Sequence, residues 1–299
     1  MKVYFPFFCF FFLFSIRMQA QITIESERDK ENNVNLFATN TAEIPYSVLL
    51  NFSDLQNMTT PGGGSTVVVA NPGRSKIATL RPTLAGQGTN FRYSYSFARG
   101  NVYSKSKNLP AYLIPVPEGT TVEVVLNNPL EKTLGKETEG NSYRGVSFSL
   151  EGTTPILAPR KGVVIALKMD AQAKGDNLSF TTEENFLELY HEDGTFTKIT
   201  VLKAGSEQVK LGQQVFPGDT LALSAGENYA QGPHIRVIQT KTVLENDQFF
   251  YRTFPVSYMS DQGVLEIKEY ATLKAVHPED LVTSEMSKRE LKTYLEGKK

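Results

Sequence analysis

The stretch from Tyr143 to Gln239 decides the fold of this chain. Its centre holds three short apolar segments, Gly162-Val-Val-Ile-Ala-Leu, Asn185-Phe-Leu-Glu-Leu-Tyr-His and Phe196-Thr-Lys-Ile-Thr-Val-Leu, and it ends in Gln231-Gly-Pro-His-Ile-Arg-Val-Ile. Apolar runs of this length, separated by Gly, Asp and Pro, are typical of β-strands. Several such strands at short spacing predict a sandwich or an open barrel.

The residues before this stretch also have the pattern of strands and turns. Thr66-Val-Val-Val-Ala lies between the turn sequences Pro61-Gly-Gly-Gly and Asn71-Pro-Gly. Phe91-Arg-Tyr-Ser-Tyr-Ser-Phe alternates aromatic and polar side chains, as a half-buried strand does. This aromatic stripe either packs in a core or stacks on glycan. About six strands in residues 21–100 predict an immunoglobulin-like β-sandwich.

Composition divides the rest of the chain. Residues 101–108 are polar and predict a linker, and residues 109–275 predict a second β domain with strands appended after Gln239. Residues 276–299 form a tail, in which Pro278 to Leu295 opens with acidic residues and predicts one helix. This helix docks either on its own domain or on a partner. The sequence therefore predicts an all-β protein of two domains with a short C-terminal helix.

Residues 1–20 have the composition of a secretory signal peptide. Lys2 is followed by an apolar block from Val3 to Ile16, and the small residue Ala20 suits cleavage. An uncleaved membrane anchor is the alternative, although the block is short for a bilayer span. We therefore expect an exported protein, periplasmic and with or without association with the outer membrane, that has no transmembrane segment after cleavage. Cys9 is the single cysteine, so the mature chain has neither a disulfide nor a thiol nucleophile.

The charge balance excludes one class of partner. The chain has 31 basic and 32 acidic side chains, which gives a formal net charge of −1. Binding to a nucleic acid backbone requires a clustered excess of basic residues. We therefore expect no nucleic acid partner.

Four ordered motifs carry a resemblance to a known family. They are Gly152-Thr-Thr-Pro-Ile-Leu-Ala-Pro-Arg-Lys-Gly-Val-Val, His191-Glu-Asp-Gly-Thr-Phe-Thr, Val209-Lys-Leu-Gly-Gln-Gln-Val-Phe-Pro-Gly-Asp and Gly232-Pro-His-Ile-Arg. They resemble motifs of the LytM/lysostaphin-type zinc endopeptidase domain, whose active members cut peptidoglycan cross-links. The immunoglobulin-like front and the tail resemble the variant of this domain found in Bacteroidetes envelopes. The resemblance implies an antiparallel β domain.

The resemblance also implies a zinc site, and this sequence departs from it. The family holds zinc through an upstream His, an Asp and the second His of an HxH motif, and two more His assist catalysis. No His precedes His191 here, and Tyr143 stands at the spacing of the upstream His. Ser147 replaces the Asp, Arg236 replaces the second His of HxH, and Val201 replaces one catalytic His.

One catalytic position is retained, as His234, the first His of HxH. Ser is a poor zinc ligand, Val cannot transfer a proton, and the fixed charge of Arg repels a cation. We therefore expect no metal, no cofactor and no enzymatic activity. His191, beside an Asp-Gly turn, is interpreted as structural and His277 as exposed, so that the three His do not form another metal site.

These substitutions define a candidate degenerate cleft, which comprises Tyr143, Ser147, Val201, His234 and Arg236. A cationic cleft of this kind binds an anionic peptide or a muropeptide carboxylate. In the alternative, Arg236 pairs internally with an acidic side chain.

Two functions remain open at this point. In the first, the protein is a non-catalytic envelope protein that binds or regulates peptidoglycan hydrolases, such as amidases, or binds peptidoglycan itself. In the second, it is a structural subunit of a periplasmic or outer-membrane protein complex that uses the fold as a scaffold. An active hydrolase with unusual ligands is a residual alternative, which requires bound zinc and the release of muropeptides.

Overall fold

The first part of the chain folds into two facing antiparallel sheets. The computed structural model describes residues 21–105, 109–127, 145–172, 175–178 and 183–297. The first seven strands are β1 (Ile22–Arg28), β2 (Val34–Asn40), β3 (Tyr46–Gln56), β4 (Met58–Thr59), β5 (Ser65–Ala70), β6 (Gly73–Pro82) and β7 (Asn90–Arg99). They form one sheet in the order β1-β2-β6-β4 and another in the order β5-β3-β7.

Side-chain alternation explains how these two sheets pack. In β2, Val34, Leu36 and Ala38 are buried and alternate with partly exposed residues. They pack in one apolar cluster with Val48 and Leu50 of β3 in the facing sheet. The result is a two-layer sandwich, which the period-two pattern predicted. Its immunoglobulin-like character and its bounds at residues 21–100 remain predictions.

The second part of the chain is built on one large antiparallel sheet. The strands of this second part, which include those of smaller sheets, are β8 (Tyr112–Leu113), β9 (Thr121–Asn127), β10 (Gly145–Ser149), β11 (Pro155–Leu157), β12 (Gly162–Lys168), β13 (Phe186–Tyr190), β14 (Thr195–Thr200), β15 (Gln214–Val215), β16 (Thr220–Leu223), β17 (His234–Glu245), β18 (Gln248–Thr253), β19 (Ser257–Ser260), β20 (Gly263–Glu266) and β21 (Tyr270–Lys274). The large sheet has the order β15-β12-β13-β14-β17-β10-β9-β21, and β18 also pairs with β17. The all-β prediction is confirmed.

The two faces of the large sheet have different partners. On one face, Phe148, Ile199 and Val237 belong to the main apolar core, which also contains Tyr112 and Tyr258 from the small sheet β20-β19-β8. On the opposite face, Tyr190 and Phe196 pack into the core of the sandwich. The candidate cleft residues His234 and Arg236 alternate with core residues of β17 and therefore lie on the face that also carries the sandwich.

The junction between the two parts is held by buried polar contacts. Arg99 forms a bidentate ion pair with Glu188 of β13, at 2.5 and 3.2 Å. Gly100 has a φ of +87°, and a Cβ there would lie 2.9 Å from a ring carbon of Phe196, so only glycine fits. Ser47 Oγ donates to Gly100 O and accepts the N–H of Val102, both at 2.8 Å. The beginning of the predicted linker is therefore fixed to the sandwich; its residues 106–108 lie outside the described residues.

The tail docks on the second domain, as one of the two alternatives predicted, but it forms two helices. They are α1 (Glu279–Thr283) and α2 (Lys288–Gly297). The prediction of a single helix over 278–295 was wrong, because Ser287 caps the N-terminus of a second helix. Glu290 accepts the backbone N–H of Ser287 (2.6 Å), and Ser287 Oγ accepts the N–H of Glu290 (3.3 Å). This reciprocal pair is a capping box, which marks a helix N-terminus.

Charged contacts attach this tail. Arg160, whose side chain is 3% exposed, donates to both carboxylate oxygens of Glu285 at 2.7 and 2.8 Å. Its other amino group lies 2.8 Å from Asp193, an ion pair without hydrogen-bond geometry. Lys161 pairs with Glu290 at 2.8 Å. The tail is thus joined to its own domain through a buried guanidinium.

His191 lies beside this network and is fully buried. Its Nδ1 donates to Lys161 O (2.7 Å), and its Nε2 accepts from Thr197 Oγ1 (2.8 Å). Burial, and then the nearby Arg160 charge, lower the pKa of His191 to about 4. Both ring nitrogens are engaged, as expected of a structural His. His277, which was expected to be exposed, is partly buried in the structure because its segment packs beside Glu118.

Residues 1–20 lie outside the described residues, and so does the predicted signal peptide. Among the described ranges, no helix combines the length and apolar character that crossing a bilayer requires.

Removing one partner of the buried ion pair should loosen the tail. We expect Glu285→Ala to lower the free energy of unfolding by about 2–4 kcal/mol, because Asp193 is then the carboxylate left beside Arg160. Glu296→Ala removes the exposed pair with Lys292 and should change stability by about 0.5 kcal/mol or less. Urea denaturation of both variants measures the difference, and equal effects would contradict a buried attachment.

Candidate functional site

Strand register brings the predicted cleft residues together. Arg236 of β17 lies opposite Ser147 of β10 on one side and opposite Thr200 of β14 on the other. Val201 follows β14 directly, and its carbonyl accepts the N–H of Ala225 at 2.9 Å. Ala225 in turn forms a bridge with His234. Four of the five predicted positions therefore adjoin, and the fifth, Tyr143, lies outside the described residues.

Arg236 is paired within the protein. Its guanidinium lies 2.9 Å from Glu184 Oε1, and the two side chains are only 13% and 12% exposed. Tyr229 donates its hydroxyl to the same oxygen at 3.0 Å, and its ring lies 5.7 Å from the guanidinium carbon. Burial, and then the Glu184 charge, raise the pKa of Tyr229 to about 12. Of the two alternatives for Arg236, the structure contains the internal pair.

His234 is buried and neutral at physiological pH. Its Nδ1 lies 2.8 Å from Gly232 O and must donate the proton, which leaves Nε2 as an acceptor. This Nε2 is buried and has no hydrogen-bond partner among the described residues. Burial lowers the pKa of His234 below its ordinary value, and the Arg236 charge lowers it further. The ring also contacts the edge of Tyr229, at a centroid distance of 5.0 Å.

The other two positions are a buried serine and a buried valine. Ser147 is buried, and its Oγ accepts a hydrogen bond from Asn127 Nδ2 at 2.6 Å. Val201 is buried and has a φ of +65°. A β-branched residue rarely adopts this left-handed conformation, which costs roughly 1–3 kcal/mol. Backbone strain is therefore present where the resemblance implies a catalytic His, although the side chain is apolar.

The residues at these positions do not fit a zinc ion. Arg236 places a permanent positive charge next to Ser147, a weak ligand, and Val201, which is no ligand. The nearest carboxylate, Glu184, is already shared by Arg236 and Tyr229. In the part of the chain that the structure describes, no group of three or more His, Cys, Asp or Glu is placed to hold a metal.

Two residues of this network were not singled out from the sequence. Glu184 precedes β13 in the acidic pair Glu183-Glu184, and Tyr229 lies in the loop before Gly232-Pro-His. The sequence signal for this contact was the acidic pair Glu183-Glu184 next to a strand, in a domain where Arg236 had no assigned partner. A cavity of about 220 Å³ lies beside them and is lined by Glu184, Val201 and Tyr229, among others.

Comparison with known proteins identifies the class of domain. Residues 141–245 match Peptidase family M23. The chain therefore contains a Peptidase M23, or LytM-type, domain at residues 141–245, which confirms the predicted resemblance. The degeneracy of the site and the immunoglobulin-like front remain predictions.

Individual relatives are distant. The chain is 29% identical over 108 residues to an uncharacterized metalloprotease of Buchnera aphidicola subsp. Baizongia pistaciae, and the match covers 36% of this chain and 24% of that protein. The chain thus matches about a quarter of the relative's length.

Two solved structures are similar at low scores. One is the M23 metalloprotease pseudoalterin from the deep sea, with 14% identity, a TM-score of 0.33, and coverage of 56% of this chain and 98% of that one. The other is Helicobacter pylori Csd3, with 11% identity, a TM-score of 0.32, and coverage of 93% and 84%.

The internal pair can be tested by a mutant cycle. We expect Arg236→Leu to lower the free energy of unfolding by about 2–4 kcal/mol, because Glu184 is then buried without a cation. Adding Glu184→Gln removes that charge, keeps an acceptor for Tyr229, and should recover most of the loss. Urea denaturation of the two single variants and the double variant measures the coupling energy.

The matched control is Lys168→Leu, which removes an exposed partner of Glu183 and should change stability by about 0.5 kcal/mol or less. Unchanged stability in Arg236→Leu would contradict a stabilising internal pair with Glu184.

Proposed function

We propose that this protein is a non-catalytic M23-domain protein of the cell envelope that binds peptidoglycan or a peptidoglycan hydrolase. The observation that carries the proposal is the Arg236–Glu184 ion pair, with Tyr229 on the same carboxylate. This network stands where the resemblance places a zinc ligand. The guanidinium of Arg236 has a fixed single positive charge, and it lies at the position where the chemistry of the family requires a divalent metal ion.

Hydrolysis by this family depends on a metal-activated water, and the residues here provide no substitute for it. His234 keeps one acceptor nitrogen, Nε2, which has no partner among the described residues, but Val201 cannot serve as a second catalytic group. The four family motifs and the domain fold are nevertheless retained, and they support an inherited affinity for the family's substrate or for enzymes that act on it. Export through the predicted signal peptide would place the protein where the wall lies.

The proposal is tested with the purified protein and isolated sacculi. We expect co-sedimentation with sacculi, or capture of a wall amidase from gently solubilised envelopes, without release of muropeptides in the presence or absence of added zinc. Mass spectrometry identifies both captured proteins and released fragments. Binding to neither sacculi nor a wall hydrolase would contradict the proposal.

A second candidate function is favoured by an observation away from the cleft. Tyr95 and Phe97 of the sandwich are 37% and 40% exposed, and exposed aromatic surface often marks a protein interface. This surface suits a structural subunit of a periplasmic or outer-membrane complex. Stable co-purification of such a complex, without affinity for wall material, would support this candidate instead.

Restoring part of the metal site should not restore activity. We expect the double variant Ser147→Asp with Arg236→His to release no muropeptides, because an upstream His is still missing and Val201 is unchanged. The assay is muropeptide release from sacculi with added zinc, with an active M23 peptidase as the positive control. Clear activity of the double variant would show that the motif positions are wrongly assigned.

A further inference from the structure

The outer edge of β7 is a free strand edge. This strand pairs with β3 alone, and among the described residues no other strand pairs with it. Its aromatic residues Phe91, Tyr93, Tyr95 and Phe97 alternate with polar ones. They lie on the core-facing side of the sheet, since Tyr95 is opposite the buried Leu50. Phe91 and Tyr93 pack against the sandwich core, whereas Tyr95 and Phe97 are 37% and 40% exposed.

The direction of the peptide groups follows from the residues that end the strand. Gly100 donates its N–H to Pro45 O, on the β3 side, at 2.8 Å. Arg99 points the other way, because its N–H donates to the Tyr251 hydroxyl (3.0 Å) and its carbonyl accepts from Thr242 (2.6 Å). Peptide groups alternate in direction along a strand. The peptide groups of all four aromatic residues therefore point outward, away from β3.

This edge lacks the usual protection against strand pairing. Natural edge strands carry charges, prolines or bulges that block a second strand. The edge strand β1 of the other sheet carries Glu25, Glu27 and Arg28. From Tyr93 to Ala98, β7 has no charged residue, no proline and no glycine. It is therefore open to another strand.

The sequence of the edge is symmetric about Ser94. Read in either direction from that residue, it presents Tyr and then Phe at alternate positions. We propose that β7 pairs antiparallel with β7 of a second copy of this chain, about a two-fold axis at Ser94. Tyr93 then lies opposite the partner's Tyr95, and Phe91 lies opposite the partner's Phe97. Each of these pairs exchanges backbone hydrogen bonds, and aromatic cross-strand pairs stabilise a sheet.

The charges are compatible with this register. Arg92 falls opposite the partner's Ser96, so no like charges meet, and Arg92 is already paired with Asp54 of its own chain at 3.2 Å. The second domain contacts the outer side of β7 at Arg99, whose peptide group bonds Tyr251 and Thr242. Pairing with the second copy therefore ends at the pair of Phe97 with the partner's Phe91, and the two Arg99 residues lie at opposite ends of the paired strands. The sheet β5-β3-β7 then continues into the same sheet of the second copy, and this register brings no like charges opposite each other.

Ser96 tests the register because it lies on the exposed polar face. Ser96→Glu places a carboxylate opposite the partner's Arg92, and Ser96→Arg places a like charge there, twice in each dimer. We expect the dimer dissociation constant to fall with Glu and to rise with Arg, each by roughly threefold to tenfold. Sedimentation equilibrium of the purified protein measures both. A monomeric wild type, or a shift in the same direction for both variants, would overturn the proposal.

A disulfide tests the axis independently of affinity. In a Cys9→Ser background, Ser94→Cys places two thiols opposite each other in a non-hydrogen-bonded pair, at a Cα separation of about 4.5 Å that a disulfide accepts. We expect oxidation to give a covalent dimer. The control Ser26→Cys lies on the charged edge strand β1 and should give no covalent dimer. Equal cross-linking of both variants, or of neither, would overturn the assigned axis, as would a monomer that binds glycan at this stripe.

Discussion

The two-residue period of β17 constrains both the core and the candidate site. This strand pairs with β10, β14 and β18, so its register fixes the centre of the large sheet. Ile235 and Val237 are fully buried in the core, and the alternation places His234 and Arg236 on the other face. A slip of one residue would exchange these faces and bury a guanidinium in the apolar core. The stability of the core therefore determines where the cleft residues lie.

Buried and partly buried ion pairs connect the parts of the molecule. Arg236 with Glu184 fills the cleft, Arg99 with Glu188 joins the sandwich to the large sheet, and Arg160 with Glu285 attaches the tail. Pairs of this kind add little net stability compared with apolar packing, but losing one partner is costly because the other charge stays buried. They therefore specify which segments must dock.

The cleft and the free edge of β7 give the protein two separate surfaces. The cleft network belongs to the M23 domain and is the site of the proposed binding without hydrolysis. The β7 edge belongs to the sandwich, and its self-complementary sequence supports pairing of two copies. Because Arg99 bonds Glu188 and Thr242 of the large sheet, pairing of two sandwiches would constrain the distance between two clefts. Two linked sites on one polymer raise the overall affinity without new contacts.

The sequence by itself determined the features that depend on local pattern. Alternating apolar residues predicted the strands, four motifs predicted the LytM-type domain, and the absence of any His before His191 predicted the loss of the metal site. The S-x-x-E spacing of Ser287 and Glu290 is that of a capping box and is present in the sequence, although the tail was expected to be one helix. Only the tertiary structure decided that Glu184 and Tyr229 meet Arg236, and that Val201 is strained. Such contacts join residues far apart in the chain, and their formation depends on strand register and burial, which no local pattern encodes.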